Sequence, residues 1–212
     1  MKMETRNFCG PVSLRNDGKD GPKRITGLGA VFYDASNPDT EYNLWGNIYE
    51  RMMPGCFDQT MRADDIRATY NHDFNQLLGR TKSNTLRLSI DSRGLNYEIE
   101  PANTRVYGDV LEMIERGDVD GSSVWMVVKS ERWRIDESND REIREIEEAQ
   151  LIEVGPVADP AYKATTAGSR SNEMFAEARA SYDGWKSAAA IAMEKIVRDQ
   201  RKRNLKLIEL GA

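Results

Sequence analysis

The sequence predicts an α+β chain in which a mostly antiparallel β core with inserted helices is followed by a helical C-terminal tail. Three observations carry this reading. Two short segments between 86 and 99 alternate strictly between apolar and polar residues, the apolar spacing changes to a helical one between 104 and 116, and the character of the chain changes completely from Ser169 onward.

The alternating pair is the clearest element. Leu86, Leu88 and Ile90 interleave with Arg87 and Ser89, while Leu95, Tyr97 and Ile99 interleave with Asn96 and Glu98, so the two segments read as a hairpin turning at Asp91–Gly94. Val106, Val110, Met113 and Ile114 share one helical face, and Gly117 is a natural stop. Ser122–Val128 is apolar on both faces, as a buried strand is, and is followed by a polar turn around Glu137–Asp140 and one or two further strands over Ile143–Val154. Upstream, Ile25–Phe32 can form a strand in which Gly27 and Gly29 mark a bulge or a close backbone approach. Asp34–Glu41 has the composition of a loop. Asn16–Lys23, rich in Gly, Asp and Lys, resists packing. In the tail, Phe175, Ala178, Tyr182, Trp185, Ala189, Met193 and Ile196 recur at three- and four-residue intervals, predicting a long amphipathic helix over 172–210.

With 212 residues, 39% of them hydrophobic and 31% charged, the chain supports one domain with a sizeable core plus an appended segment. The expected organisation is a flexible N-terminal arm over 1–22, a catalytic-sized domain over 23–167 and the helical tail over 168–212. A net charge of -5 provides no basic field for nucleic acid. Two cysteines, Cys9 and Cys56, form no zinc or disulfide spacing and fit a reducing compartment. No apolar run approaches the roughly 18 residues of a membrane span, and the N-terminus lacks the apolar stretch of a secretory signal. A soluble, cytoplasmic protein with neither membrane nor nucleic-acid partner is expected.

Few residues can carry imidazole or nucleophile chemistry. His72 is the single histidine, so any imidazole chemistry is its own, though a lone histidine at a strand end also serves packing. Ser122 and Ser123 stand at the start of an apolar strand, where a hydroxyl needs a partner. They are either nucleophile candidates or turn-closing side chains bonded to backbone. Glu153, inside Leu151–Val154, is a charge in an apolar run that an imidazole N–H would satisfy, or an exposed edge charge. Glu148 and Asp73 are rival carboxylates. Cys56 is a second nucleophile candidate, against its bland role as a small core residue. One histidine without paired cysteines gives no metal centre of the usual nitrogen and sulfur kind, and leaves open only a carboxylate site for a hard cation.

Several segments in order resemble the prohead maturation serine proteases of tailed phages, a family related in fold to the herpesvirus assemblins. They are Gly27–Phe32, Glu50-Arg51-Met52-Met53-Pro54-Gly55-Cys56-Phe57, Asn71-His72-Asp73 leading to Leu78-Gly79-Arg80-Thr81, Arg93-Gly94-Leu95, Gly117–Ser123, and Leu151–Val157 with Asp159-Pro160-Ala161-Tyr162. The resemblance spans Gly27 to Thr165 and implies a barrel-like, assemblin-like protease core with His72 and Ser123 as catalytic residues, Ser122 being the one-residue alternative. Two departures stand out. Val124-Trp125-Met126 occupies the place of a small residue and an aromatic, and Gly155 replaces a common Ser. The assemblins use a second histidine, which this chain lacks, so a carboxylate fills that place, with Glu153 favoured. The oxyanion donors implied by the resemblance lie near Gly79-Arg80.

The resemblance further implies a serine endopeptidase that acts inside the assembling prohead in the host cytoplasm. Its substrates would be scaffold segments, the extension of the major capsid protein, and the chain itself. No cofactor is expected, and a homo-oligomer, dimer or higher, is. The tail, basic at Lys195, Arg198, Arg201, Lys202, Arg203 and Lys206, would bind capsid or scaffold and be removed by self-cleavage, or simply pack. The alternative from another class is a non-enzymatic assembly or scaffolding protein that keeps a protease-like domain.

Overall fold

The alternating segments are strands, and they join others in a ten-stranded sheet. The computed structural model describes residues 4–16, 18, 21–158 and 175–209, in two compact units, Met1–Gly168 and Ser169–Ala212. The first unit runs β1 (Glu4–Asn16), β2 (Lys23–Val31), β3 (Tyr42–Trp45), β4 (Ile48–Met52), α1 (Asp58–Ala63), β5 (Arg67–Tyr70), β6 (Asp73–Arg80), β7 (Leu86–Asp91), β8 (Gly94–Ile99), α2 (Arg105–Arg116), β9 (Gly121–Asp136) and β10 (Arg141–Val157). The second contains α3 (Ala176–Glu209).

The hydrogen-bonded order is β3-β4-β10-β9-β1-β2-β8-β7, with β5 attached to β10 and β6 to β5. Most pairs are antiparallel, but β4 and β5 both run parallel to β10. Among the described residues β3, β6 and β7 are each paired with one strand only. The predicted hairpin is β7 and β8, in register from Leu86↔Ile99 to Asp91↔Gly94. Its turn is fixed by Asp91 Oδ1, which accepts from the N–H groups of Arg93 at 2.8 Å and Gly94 at 3.2 Å. The predicted helix is α2, capped by Thr104 Oγ1 on Tyr107 N at 3.2 Å and ended by Gly117 in the left-handed region. At Gly27 a Cβ would lie 2.4 Å from the Tyr97 ring, which is the close approach the glycine permits.

Two expectations fail for physical reasons. Residues 1–22 are not a flexible arm throughout, because 4–16 form β1, paired with β2 on one side and β9 on the other. Apolar alternation is not what holds its first residues. Glu4 and Arg6 are buried, and Arg6 binds Glu50 Oε1 at 2.5 Å and Glu4 Oε2 at 2.5 Å. Arg144 of β10 completes the cluster, reaching Glu4 at 2.8 Å, Glu50 at 2.9 Å and Glu131 at 2.6 Å. A polar segment is thus fixed by paired charges rather than by hydrophobic area.

The β9–β10 hairpin is also much longer than the predicted Ser122–Val128 and Ile143–Val154. Its outer half is laced by Arg132 and Arg134 on Glu145, at 2.8 and 2.7 Å, so charged side chains extend the ladder past the apolar run. In the second unit the tail is helical over 176–209, Phe175 is a turn residue before it, and 172–174 and 210 lie outside the described residues. Of the predicted apolar stripe, Met193 and Ile196 are exposed. The core of the first unit gathers Ile25, Phe32, Met52, Phe57, Ile66, Leu95, Ile99, Val110, Met126, Ile146 and Val154.

Truncating one member of the buried cluster leaves its carboxylates under-compensated. Arg144→Ala is expected to lower unfolding stability by about 3–5 kcal/mol in urea melts, whereas Arg93→Ala, exposed on the β7–β8 turn, stays within about 0.5 kcal/mol. Burial alone pushes Glu4 upward, but the Arg144 hydrogen bond and the charges of Arg6 and Arg144 outweigh it and bring it down to about 2. A carboxyl held lower in the folded than the unfolded state stabilises above its ordinary value of 4.5 and loses that contribution as pH falls toward 2. Urea midpoints measured from pH 6 to pH 2.5 are therefore expected to fall below pH 4.5, and to fall less in Glu4→Gln.

Candidate active site

β5 and β6 form a hairpin whose two turn residues are Asn71 and His72, at φ 53° and 60°. Two successive left-handed residues are the signature of a type I′ turn, which matches the right-handed twist of its strands. Asparagine tolerates that conformation well; histidine does so at a cost. The turn is tied to the end of β10, where Asn71 N donates to Pro156 O at 3.1 Å and Asn71 Oδ1 accepts from Ala158 N at 2.9 Å.

The imidazole is held at both nitrogens. Nδ1 lies 2.6 Å from Glu153 Oε2 and Nε2 lies 2.5 Å from Ser123 Oγ. Ser123 and Glu153 are fully or almost fully buried, and His72 is the member that reaches solvent, with 14% of its side chain exposed. Ser123 Oγ also lies 3.1 Å from Arg6 O. A hydroxyl has one proton, so it serves one of these two acceptors at a time.

Glu153 satisfies its second oxygen through a residue that the sequence did not single out. Thr69 donates to Oε1 twice, from its backbone N at 3.1 Å and from Oγ1 at 2.6 Å. The parallel register Glu153↔Arg67 and Val154↔Ala68 brings Thr69 to the carboxylate. Gly155 makes that register possible, since a Cβ there would lie 2.0 Å from Thr69 O. Gly155, which stands where the resemblance implies a common serine, is the residue over which β5 closes. The available signals for Thr69 were its β-branched hydroxyl and its place on the strand that leads into His72.

The other candidates lie elsewhere. Ser122 is buried with Oγ 3.0 Å from the Tyr97 hydroxyl. Tyr97 is raised above the usual phenol range by burial, offset by its Ser122 hydrogen bond and reinforced by the Glu153 charge. Asp73 Oδ1 accepts from Asn75, at 2.8 Å from N and 2.9 Å from Nδ2. Glu148 stands opposite Ser130 at a register shift. Cys56 is a buried core residue whose thiol is pushed well above its ordinary value by burial and then by the Asp58 charge, which disfavours the thiolate. The Arg80 N–H, half of the expected oxyanion pair, is already donated to Thr85 Oγ1 at 2.9 Å. Among the described residues no group of three or more His, Cys, Asp or Glu side chains is placed to hold a metal ion, and no helix is long and apolar enough to cross a membrane.

Beside the imidazole stands an aromatic cluster. Trp125 is stacked on the His72 ring, with centroids 5.1 Å apart and an angle of 4° between the planes, and the Phe74 ring meets Trp125 edge-on at 5.7 Å. Phe74 and, further along β6, Leu77 are exposed.

The model of the caudovirus prohead serine protease family matches residues 12–179. The solved structure of the bacteriophage T4 capsid assembly protease is similar to this chain at 10% identity and a TM-score of 0.46, over 75% of this chain and 98% of that one. No curated protein matches the chain.

Gly155→Ala forces either the β5–β10 pair apart or the Thr69 carbonyl aside. It is expected to cost about 1–3 kcal/mol in thermal or urea unfolding. Gly108→Ala, at a helical position where a Cβ meets nothing within 4 Å, is expected to leave stability unchanged or raise it.

Proposed function

The chain belongs to the caudovirus prohead serine protease family, and on that premise we propose that it is a serine endopeptidase in which Ser123 is the nucleophile, His72 the general base and Glu153 the residue that orients His72. The observation that carries the proposal is the hydrogen-bonded line from Ser123 Oγ through both imidazole nitrogens to Glu153.

In the proposed reaction, Ser123 Oγ attacks a peptide carbonyl carbon while its proton passes to His72 Nε2. The tetrahedral intermediate collapses as Nε2–H protonates the leaving amine, giving an acyl-enzyme and a free amino terminus. A water molecule then gives its proton to Nε2 and attacks the ester, and the acid product leaves as the proton returns to Ser123. Glu153 accepts from Nδ1–H throughout, which keeps Nε2 as the acceptor before attack and stabilises the imidazolium formed during it. Thr69 fixes the carboxylate in turn.

The proposed substrates are scaffold segments and the N-terminal extension of the major capsid protein, within the assembling prohead, with the chain's own tail as a further target. A homo-oligomer, dimer or higher, is the proposed working form. His72 is the member of the triad that reaches solvent, so the peptide is placed against its exposed side.

The test is intact mass spectrometry of the full chain beside Ser123→Ala, each incubated alone and with capsid protein carrying its extension. Loss of terminal fragments or of the extension with the parent only is the expected result. Glu153→Gln is expected to slow it by about 10⁴-fold, through loss of the correct tautomer. If parent and Ser123→Ala stay equally whole with capsid protein present, and Ser123 resists a fluorophosphonate, the protease reading falls and the scaffolding alternative stands.

A further inference from the structure

The hydrogen bonds account for the two nitrogens of His72 but not for the orientation of its ring plane. A side chain on a left-handed turn residue, 14% exposed and hydrogen-bonded at its two nitrogens, is held along the line between those contacts and less firmly against rotation about it. Once protonated, it is also drawn toward water. The Trp125 face, parallel to the imidazole within 4° at 5.1 Å, is a contact that opposes both motions.

The placement follows from the strand. Ser123 and Trp125 are two residues apart on β9, so their side chains leave the same face of the sheet, roughly 7 Å apart. Glu153 is the cross-strand partner of Trp125. One stretch of β9 therefore supplies the hydroxyl at the edge of the imidazole and a wall against its face, and β10 supplies the carboxylate. Phe74, two residues beyond His72, abuts the indole edge-on, and the Arg67 guanidinium lies 6.0 Å from the Phe74 ring. The indole is itself braced.

We infer that Trp125 is a positioning residue for His72, holding the imidazole plane in line with Ser123 Oγ and favouring the imidazolium that forms as Ser123 attacks. An aromatic face attracts a cation most strongly when the ring is indole, and the imidazole is neutral before attack and charged during it. The contact therefore strengthens on the way to the transition state, which raises the chemical rate rather than binding. This role rests on the proposed serine protease reading, but the geometry beneath it can be measured without catalysis.

Two measurements separate the inference from that reading. His72 is the chain's single histidine, so its Hε1 and Hδ2 proton resonances need no assignment by elimination. In the Ser123→Ala chain, which stays intact, these resonances should be shifted upfield by the indole ring current. Adding Trp125→Leu should return them toward free imidazole, and adding Trp125→Phe should keep much of the shift. In the Ser123-containing chain, labelling by a fluorophosphonate should show kinact about tenfold lower in Trp125→Leu, with KI within twofold and most of the rate restored in Trp125→Phe.

Unmoved His72 resonances in Trp125→Leu would overturn the stack. Moved resonances with an unchanged kinact, or a loss confined to KI, would overturn the positioning role. A parent chain that neither labels nor cleaves capsid protein would defeat the serine protease reading and the catalytic role together, leaving the resonances to decide the stack alone. Trp125→Phe, with circular dichroism matching the parent, guards against a loss caused by misfolding.

Discussion

A carboxylate buried between two strands must be met by donors, and the arrangement around Glu153 is the solution this chain adopts. Leaving that group unpaired would cost several kcal/mol. Three donors reach it, two from Thr69 and one from His72 Nδ1. Each is delivered by β5 or by the turn that follows it, so the carboxylate can be satisfied only if β5 lies parallel against the end of β10. That requires Gly155, because any side chain there meets the Thr69 carbonyl. With β5 in place, the turn ties Asn71 to Pro156 and Ala158 and puts the imidazole beside Ser123.

The other strand of the site is fixed from the opposite direction. β9 lies between β10 and β1, and β1 is anchored by Glu4 and Arg6 in a cluster with Glu50 and Arg144. The same Arg6 presents its carbonyl to Ser123 Oγ. A buried charge cluster is poor evidence of net stability but good at specifying one register, since a slip of one residue would turn both β1 charges to the other face. The segment Glu50-Arg51 gains its meaning here. Glu50 joins the cluster, while Arg51 pairs with Glu41 and Glu145 and lies over the Tyr33 ring at 4.0 Å.

What the sequence made legible is what local periodicity and residue chemistry report. The β7–β8 hairpin and α2, with its Thr104 cap and Gly117 stop, follow from alternation, helical spacing and turn residues within one short window. His72 stood out as the single imidazole, Ser123 as a hydroxyl at the mouth of an apolar strand, and Glu153 as a charge inside one. The structure brings these three together, and the family model covers the region that contains them. What was not legible depends on partners far along the chain. β1 looked like an arm because its anchoring residues are charged, and their partners at 50 and 144 are invisible locally. Thr69 is one hydroxyl among many until the parallel pairing with β10 is known. The outer half of the β9–β10 hairpin is written in cross-strand ion pairs rather than in hydrophobic alternation.

The turn at Asn71-His72 shows why local rules had to be broken at this place. A type I′ turn favours Asn followed by Gly, and glycine at 72 would remove the strain of a left-handed histidine. It would also remove the only imidazole in the chain. The left-handed turn carries an imidazole that bonds two side chains lying 30 residues apart on neighbouring strands. The cost of order 1–3 kcal/mol is offset by the Asn71 bonds to β10, the two imidazole bonds and the indole face. Such a conformation persists only when its surroundings over-determine it. Here the groups that over-determine it, Glu153, Ser123 and Trp125, are also the groups on which the proposed chemistry depends, so strain and function are settled by the same contacts.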